Sequence, residues 1–240
     1  MKEILLALDT ATEACSVALY YNGDVLAQDE LSPKAHTRRI LPMVDAVLAE
    51  AGIGLNRLDA LVFGRGPGSF TGVRIGCGIV QGLALGADLP VIAVSNLTAM
   101  AQAAYQRFDS HAVFAAIDAR MGEVYFSALA YRPCRIDGED YADWQLSLEE
   151  QVAAPESVLR QLAERSSQSA VCVGTGWGAY PQFEQANVPL TKCDILLPSA
   201  RYMLPLARLG LKQKRYCSAL EIEPVYLRNQ VTWKKLPGRE

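Results

Sequence analysis

Apolar and polar positions fall into short, well-punctuated blocks along this chain. Residues 4–8 form an apolar run that stops at Asp9. Residues 15–21 read as a second strand, and Asn22-Gly23 then supplies a tight turn, because both positions must tolerate positive φ. Residues 24–30 continue as a third strand, so the opening predicts an antiparallel meander. Pro33 ends that unit. From Thr37 the spacing turns helical: Ile40, Leu41, Val44, Val47, Leu48 and Ala51 share one face. Pro42 either kinks this helix or lies in its first turn, and Gly52 and Gly54 stop it. Residues 58–63 predict a buried strand running into a glycine-rich loop, Gly64 to Gly72. A helix to about Gly86, a strand at 91–94 and a helix at 96–107 follow.

The second half begins as the first does. Residues 114–118 (FAAID) echo residues 5–9 (LLALD), each an apolar strand ending in aspartate before a short polar turn. The following strands are 15–21 and 123–131. Later, residues 171–176 (VCVGTG) echo 61–66 (LVFGRG). Order and pattern therefore predict an internal duplication of two βββαβα halves. Two such halves facing a cleft describe a two-lobed α/β fold of the actin-like ATPase (ASKHA) class. The second lobe is reduced: residues 132–154 show no clear period, and a helix is predicted only over 155–165. A last helix over 198–211 carries Met203, Leu204, Ala207 and Leu211 at helical spacing and is expected to pack back on the first lobe. The expected division is a first lobe over 1–108, a reduced lobe over 109–197, and a helix with a basic tail over 198–240.

Composition narrows the function. The chain has 240 residues, half of them apolar, and a net charge of -3. The last 29 residues hold seven basic and three acidic side chains, so the body is acidic and the tail basic. A protein that grips nucleic acid alone is usually basic over its domain; contact here would use the tail and a partner's charge. Six cysteines without a C-x-x-C pair, and no secretory signal, imply reduced thiols and a cytoplasmic setting. Between Arg74 and Arg107 the only charge is Asp88, but Asp88 and Pro90 break the run, so no membrane span is expected.

The helix after the glycine loop is unusual. Gly72, Gly76, Gly78, Gly82 and Gly86 fall on it, and each glycine inside a helix costs about 1 kcal/mol against alanine. Gly78, Gly82 and Gly86 repeat every fourth residue and form a smooth stripe. Such a stripe serves either core packing within the lobe or close approach of a partner helix; the second reading is preferred. The loop itself lacks the Gly-Lys-Ser/Thr ending of a phosphate-binding P-loop. Arg65 and Arg74 are candidates to meet an anion, Ser69 and Thr71 to cap the helix, and the alternative is a tight turn that brings helix close to sheet. Asp9 and Asp118 keep the positions of a nucleotide site or serve only as turn and cap residues.

Residues Gly64 to Gly76 (GRGPGSFTGVRIG), together with 8–12 (LDTAT), 15–19 (CSVAL), 36–44, 117–125 (IDARMGEVY) and 223–235, resemble the TsaB (YeaZ) family. The match runs through most of the chain and thins over 132–197. The resemblance implies a non-catalytic scaffold or activator subunit that pairs with TsaD, its catalytic paralogue, for threonylcarbamoylation of the adenosine 3′ of the anticodon in tRNAs reading codons that begin with A. It implies a ternary complex with the ATPase TsaE, homodimers when TsaD is missing, and tRNA contact mainly through the complex. It also implies no intrinsic cofactor, ATP and metal being used by partner subunits. TsaD-type proteins hold a metal through H-x-x-x-H, and the matching positions here are Asn96 and Met100. An amide and a thioether cannot replace two imidazoles at a borderline metal. The chain has only His36 and His111, and His36 sits among Lys34, Arg38 and Arg39. No catalytic, cofactor or metal residue is therefore expected.

The resemblance places the partner interface on two first-lobe helices. Arg39, Ile40, Met43 and Val47 are the candidates on one; Arg74, Cys77, Gly78, Gln81, Gly82 and Leu85 on the other. In the tail, Arg228, Trp233, Lys234 and Lys235, with Tyr226, are candidates to touch tRNA or a partner; binding back along the chain itself is the alternative. The competing functions are an actin-fold ATPase or small-molecule kinase, which would depend on Asp9, and a peptidase-like enzyme, which would need metal ligands or a nucleophile–His pair.

Overall fold

β1 (Leu5–Asp9) is buried at every position and therefore lies in the middle of a sheet rather than at its edge. It pairs antiparallel with β2 (Ala14–Tyr21), which pairs antiparallel with β3 (Asp24–Leu31). On its other side β1 pairs parallel with β4 (Ala60–Gly64), and β4 with β5 (Val91–Val94), giving the order β3-β2-β1-β4-β5. The second sheet repeats this order with β6 (Ala112–Arg120), β7 (Glu123–Tyr131), β10 (Trp144–Ala153), β11 (Val171–Val173) and β12 (Thr191–Lys192), arranged β10-β7-β6-β11-β12. Two sheets with one strand order make the duplicated, two-lobed α/β fold of the actin-like class. This computed structural model describes residues 3–164, 170–184 and 190–228.

The lobes differ in their helices. The first half carries α1 (His36–Ala51), α2 (Phe70–Ala87) and α3 (Asn96–Phe108). The second carries α4 (Pro155–Ala163, nine residues) and α5 (Gly176–Ala179, four residues), so the second lobe is reduced. Pro42 is neither in the first turn of α1 nor buried; it sits inside the helix on its exposed side. α1 and α2 cover one face of the first sheet, with Ile40, Val44, Val47 and Val80 packed on Leu6, Leu8, Val17 and Phe63. The other face is covered from the far end of the chain. Met203, Leu204 and Ala207 lie against Leu5, Ala7, Val62 and Ile92. α3 follows β5 in sequence but packs on the second sheet, with Leu97, Met100 and Ala104 against Val113, Ile117 and Val173.

Two expectations are corrected. Residues 132–154, without a readable period, contain a small hairpin, β8 (Cys134–Ile136) with β9 (Glu139–Tyr141), and the ten-residue β10. β10 hides its alternation because its pairing with β7 shifts register twice, between Leu146 and Leu148 and between Leu148 and Gln151; each irregularity resets the two-residue period. The last helix does not span 198–211. A single 3₁₀ turn at Ala200–Tyr202 precedes α6 (Leu204–Lys212), whose second residue is Pro205. Proline is suited to the first turn of a helix and not to its interior.

Candidate functional site

The turn after β1 is where an actin-like fold would approach a phosphate. Here it is closed by its own lobe. Asp9 is 1% exposed. Its Oδ1 accepts from Asn96 Nδ2 at 2.7 Å, and Oδ2 accepts from the Ala11 amide at 3.3 Å. Burial pushes its carboxyl up to about 7, against the opposing pull of those two hydrogen bonds. Asn96 uses both ends of its amide, since Oδ1 accepts from the Gly66 N–H at 2.9 Å. Gly64 makes room for this contact: a Cβ there would lie 2.0 Å from Asp9 Oδ1. At the start of α2, a Cβ on Gly68 would meet Ala11 O at 2.4 Å and one on Gly72 would meet Thr10 O at 2.1 Å. Ser69 caps α2 by accepting from the Gly72 N–H. The glycine loop is thus the tight turn that brings helix and sheet together.

The equivalent turn of the second lobe is more open. The side chain of Asp118 is 14% exposed, accepts from Tyr180 Oη at 2.8 Å and pairs with Arg120 at 2.8 Å. Arg120 also reaches Glu13 of the first lobe at 3.2 Å. Between the lobes lies a cleft of about 900 Å³ whose walls include Thr12, Lys34, Ser69, Phe70, Asp118, Arg120 and Tyr125. Arg65, a candidate for an anion, is instead tied to Glu150 across the lobes at 2.9 Å. His36 is buried, and its Nε2 lies 2.7 Å from Thr12 O.

The positions that a TsaD-type metal would need do not fit one. The amide of Asn96 is fully engaged as above, and Met100 is fully buried in the apolar layer between α3 and the second sheet. Neither supplies the imidazole nitrogens a borderline ion prefers.

The interface candidates separate into two sets. Ile40, Met43, Val47 and Cys77 face inward, none more than 9% exposed, and belong to the core under α1 and α2; as side chains for a partner they are corrected to core residues. Arg39 points outward and forms a two-pronged pair with Glu30 at 2.7 and 2.8 Å. Arg74, Gly78, Gly82 and Leu85 lie on the outer side of α2. A Cβ added at Gly78, Gly82 or Gly86 would meet nothing within 4 Å, and Leu85 is 56% exposed. Packing within the lobe therefore does not account for the stripe. α2 has a mean hydropathy of 1.3 over its 18 residues, and 28% of it is buried. By length and composition such a helix passes for a membrane span. Its capped start, its inner face on the first sheet and its glycine turn make it one wall of a folded lobe whose outer surface is apolar and uncovered.

A strap borders this surface, and through Arg228 it takes the alternative of binding back along the chain. After α6 the chain returns to the first sheet, where Cys217 exchanges two backbone hydrogen bonds with Val91. It then runs beside α2 without regular secondary structure. Gln81 Nε2 donates to Ala219 O at 2.9 Å, and Arg74 Nε donates to Tyr226 Oη at 2.7 Å. The strap ends on the second lobe. Arg228 donates to Ala119 O and Arg120 O and pairs with Glu123. Arg228 is therefore held by the second lobe, and the Tyr226 ring lies tilted by 42° against Phe70. Trp233, Lys234 and Lys235 lie outside the described residues. Ala219, Ile222 and Tyr226 are spaced i, i+3, i+7, so their pattern points to a helix and not to the irregular strap that forms.

A family profile described as TsaD, tRNA N6-adenosine threonylcarbamoyltransferase, matches residues 25–235. The chain is 59% identical over 236 residues to the tRNA threonylcarbamoyladenosine biosynthesis protein TsaB of Haemophilus influenzae, covering 98% of each. It is 48% identical over 237 residues to the protein of that name from Escherichia coli, covering 98% of this chain and 99% of the other. Among solved structures, a Pseudomonas aeruginosa protein described as uncharacterized, with similarity to peptidase YEAZ, superposes with a TM-score of 0.82 at 42% identity, covering 95% of this chain and all of that one.

Proposed function

The chain belongs to the TsaB (YeaZ) family, and from that premise we propose that it is a non-catalytic scaffold subunit in the synthesis of threonylcarbamoyladenosine in tRNA. In this reading it pairs with a TsaD-type transferase, its catalytic paralogue, through the outer surface of α2. A TsaE-type ATPase joins the pair, and tRNA is met mainly through the assembled complex in the cytoplasm. When the transferase is missing, a second copy covers the same surface. The observation that carries the proposal is the glycine stripe of α2, which faces open space at Gly78, Gly82 and Gly86. A helix weakened by three outward glycines, each disfavoured by about 1 kcal/mol, needs a return that the chain alone does not supply.

The non-catalytic part draws support from the first-lobe turn, where Asp9 and Asn96 satisfy one another. An ATPase or kinase would need that turn open to phosphate. A peptidase would need a metal cluster or a nucleophile beside a histidine. Among the described residues no group of three His, Cys, Asp or Glu is placed to hold a metal, and His36 is bonded to Thr12 O.

The test is an omission experiment. The chain, the transferase, the TsaE-type ATPase and the adenylate-forming enzyme TsaC are combined with ATP, threonine, bicarbonate and unmodified tRNA, and each protein is left out in turn. Modification should stop without this chain, while the chain alone neither hydrolyses ATP nor modifies tRNA. Full modification without it would sink the scaffold reading.

A further inference from the structure

The first two turns of α2 carry a cluster that internal packing does not require. Arg74 is the only charged residue in the helix. Its guanidinium carbon lies 3.6 Å from the centroid of the Phe70 ring and 5.3 Å from that of Tyr226. The two rings are 5.4 Å apart. Phe70 is 58% exposed and Tyr226 40%, so the arginine lies over one half-open aromatic ring and beside a second. The Nε of Arg74 is fixed by Tyr226 Oη. Its two Nη atoms have no partner among the described residues. Tyr226 is itself held from both sides. The N–H of Val225 donates to Arg65 O at 2.8 Å, and Arg228 grips the second lobe.

We propose that this Phe70–Arg74–Tyr226 cluster is a receptor for one carboxylate, an Asp or Glu on an otherwise small and apolar helix surface of the protein partner seated on α2. The inference rests on the pairing reading above and adds the chemistry of the contact. A guanidinium presents a planar fork that matches a carboxylate with two parallel hydrogen bonds. The Phe70 face under the guanidinium and the Tyr226 hydroxyl on Nε fix that fork before binding, so less conformational entropy is lost on association. Arginine and tyrosine in such settings dominate the energy of interfaces. The rest of the outward surface argues for protein rather than nucleic acid. From Gly78 to Gly86 it is glycine and Leu85, with no charge, whereas a phosphate backbone is met by several cations in series.

The experiment is calorimetric titration of the full-length chain with the full-length TsaD-type transferase, repeated for Arg74→Ala, Arg74→Lys and Arg74→Glu. Melting of each variant is followed separately, and all should melt with the wild type. Arg74→Ala should weaken binding by at least about thirtyfold, the size of a hot-spot truncation. Arg74→Lys keeps the charge but not the fork and should fall between. Arg74→Glu should abolish binding, and one acid-to-arginine change on the transferase should restore it. If wild type binds and Arg74→Ala binds within about twofold of it, the receptor is refuted while the pairing stands. If wild type does not bind the transferase, the pairing reading falls and takes this occupant with it. If Arg74→Ala leaves protein binding intact but weakens binding of unmodified tRNA, the occupant is a phosphate and the carboxylate assignment is wrong.

Discussion

The loop and helix from Gly64 to Gly86 contain two kinds of glycine. At Gly64, Gly68 and Gly72 a single added carbon would lie 2.0, 2.4 and 2.1 Å from atoms of the β1–β2 turn. At Gly78, Gly82 and Gly86 the same carbon would touch nothing within 4 Å. The first group is explained inside the lobe, by the close approach of the β1–β2 turn to the β4–α2 loop and the start of α2. The second meets nothing among the described residues. One residue type, repeated along one stretch, thus serves two different settings, one packed within the lobe and one left open.

The contrast can be broken most directly by adding the missing carbon. Gly64→Ala should remove about 4 kcal/mol of stability or prevent folding, because Asp9, Asn96 and the strand have nowhere to move; a urea melt that matches wild type would show the packed group is not packed. Asn96→Leu leaves Asp9 Oδ1 and the Gly66 N–H without their partners in a buried place, and should cost about 3 kcal/mol in the same assay.

Asp9 also gives the packed end a pH signature. Its folded pKa of about 7 lies above the ordinary carboxylate value of 3.8, so the folded state binds the proton more tightly. The stability that Asp9 contributes should therefore be greatest below about pH 4, fall as pH rises through the window between those two values, and level off above about pH 7. The Asp9 contribution to this drop is roughly 4 kcal/mol at most. Asp9→Asn should flatten that part of the profile, and an unchanged slope would show that Asp9 is not the titrating group. The smallest effect has the opposite sign. Gly82→Ala should raise stability by about 1 kcal/mol through helix propensity and at the same time weaken pairing with the transferase. A variant that gains stability and loses no affinity would remove the case for a partner on that stripe.

Most of the first lobe was readable in the sequence because its elements obey one period each. The Asp9 and Asp118 echoes revealed the duplication, and the glycine spacing revealed the stripe. The inward turn of Ile40, Met43, Val47 and Cys77 was readable in principle, since the same period that makes a helix amphipathic assigns them to the sheet side. What could not be read was whatever depends on distant partners. The bond from Asn96 to Asp9 joins residues 87 apart. The ion pair of Arg65 with Glu150 crosses the lobes from within an irregular strand. The strap takes no regular structure despite helical spacing at Ala219, Ile222 and Tyr226, because it is held by Gln81 and Arg74 of α2.

That strap and α6 also set an order of assembly. Cys217 closes the free edge of β5, the Ala200 N–H reaches Ser16 Oγ across 184 residues, and Arg208 reaches Glu3. The strands of the first sheet precede these residues in the chain, so one of its faces stays bare and one edge stays open until residues 200–217 have been made. Contacts of such sequence separation form slowly, and an open strand edge with an apolar face is the kind of surface chaperones bind and nascent chains aggregate through. The lobe that is made first is the one that is finished last.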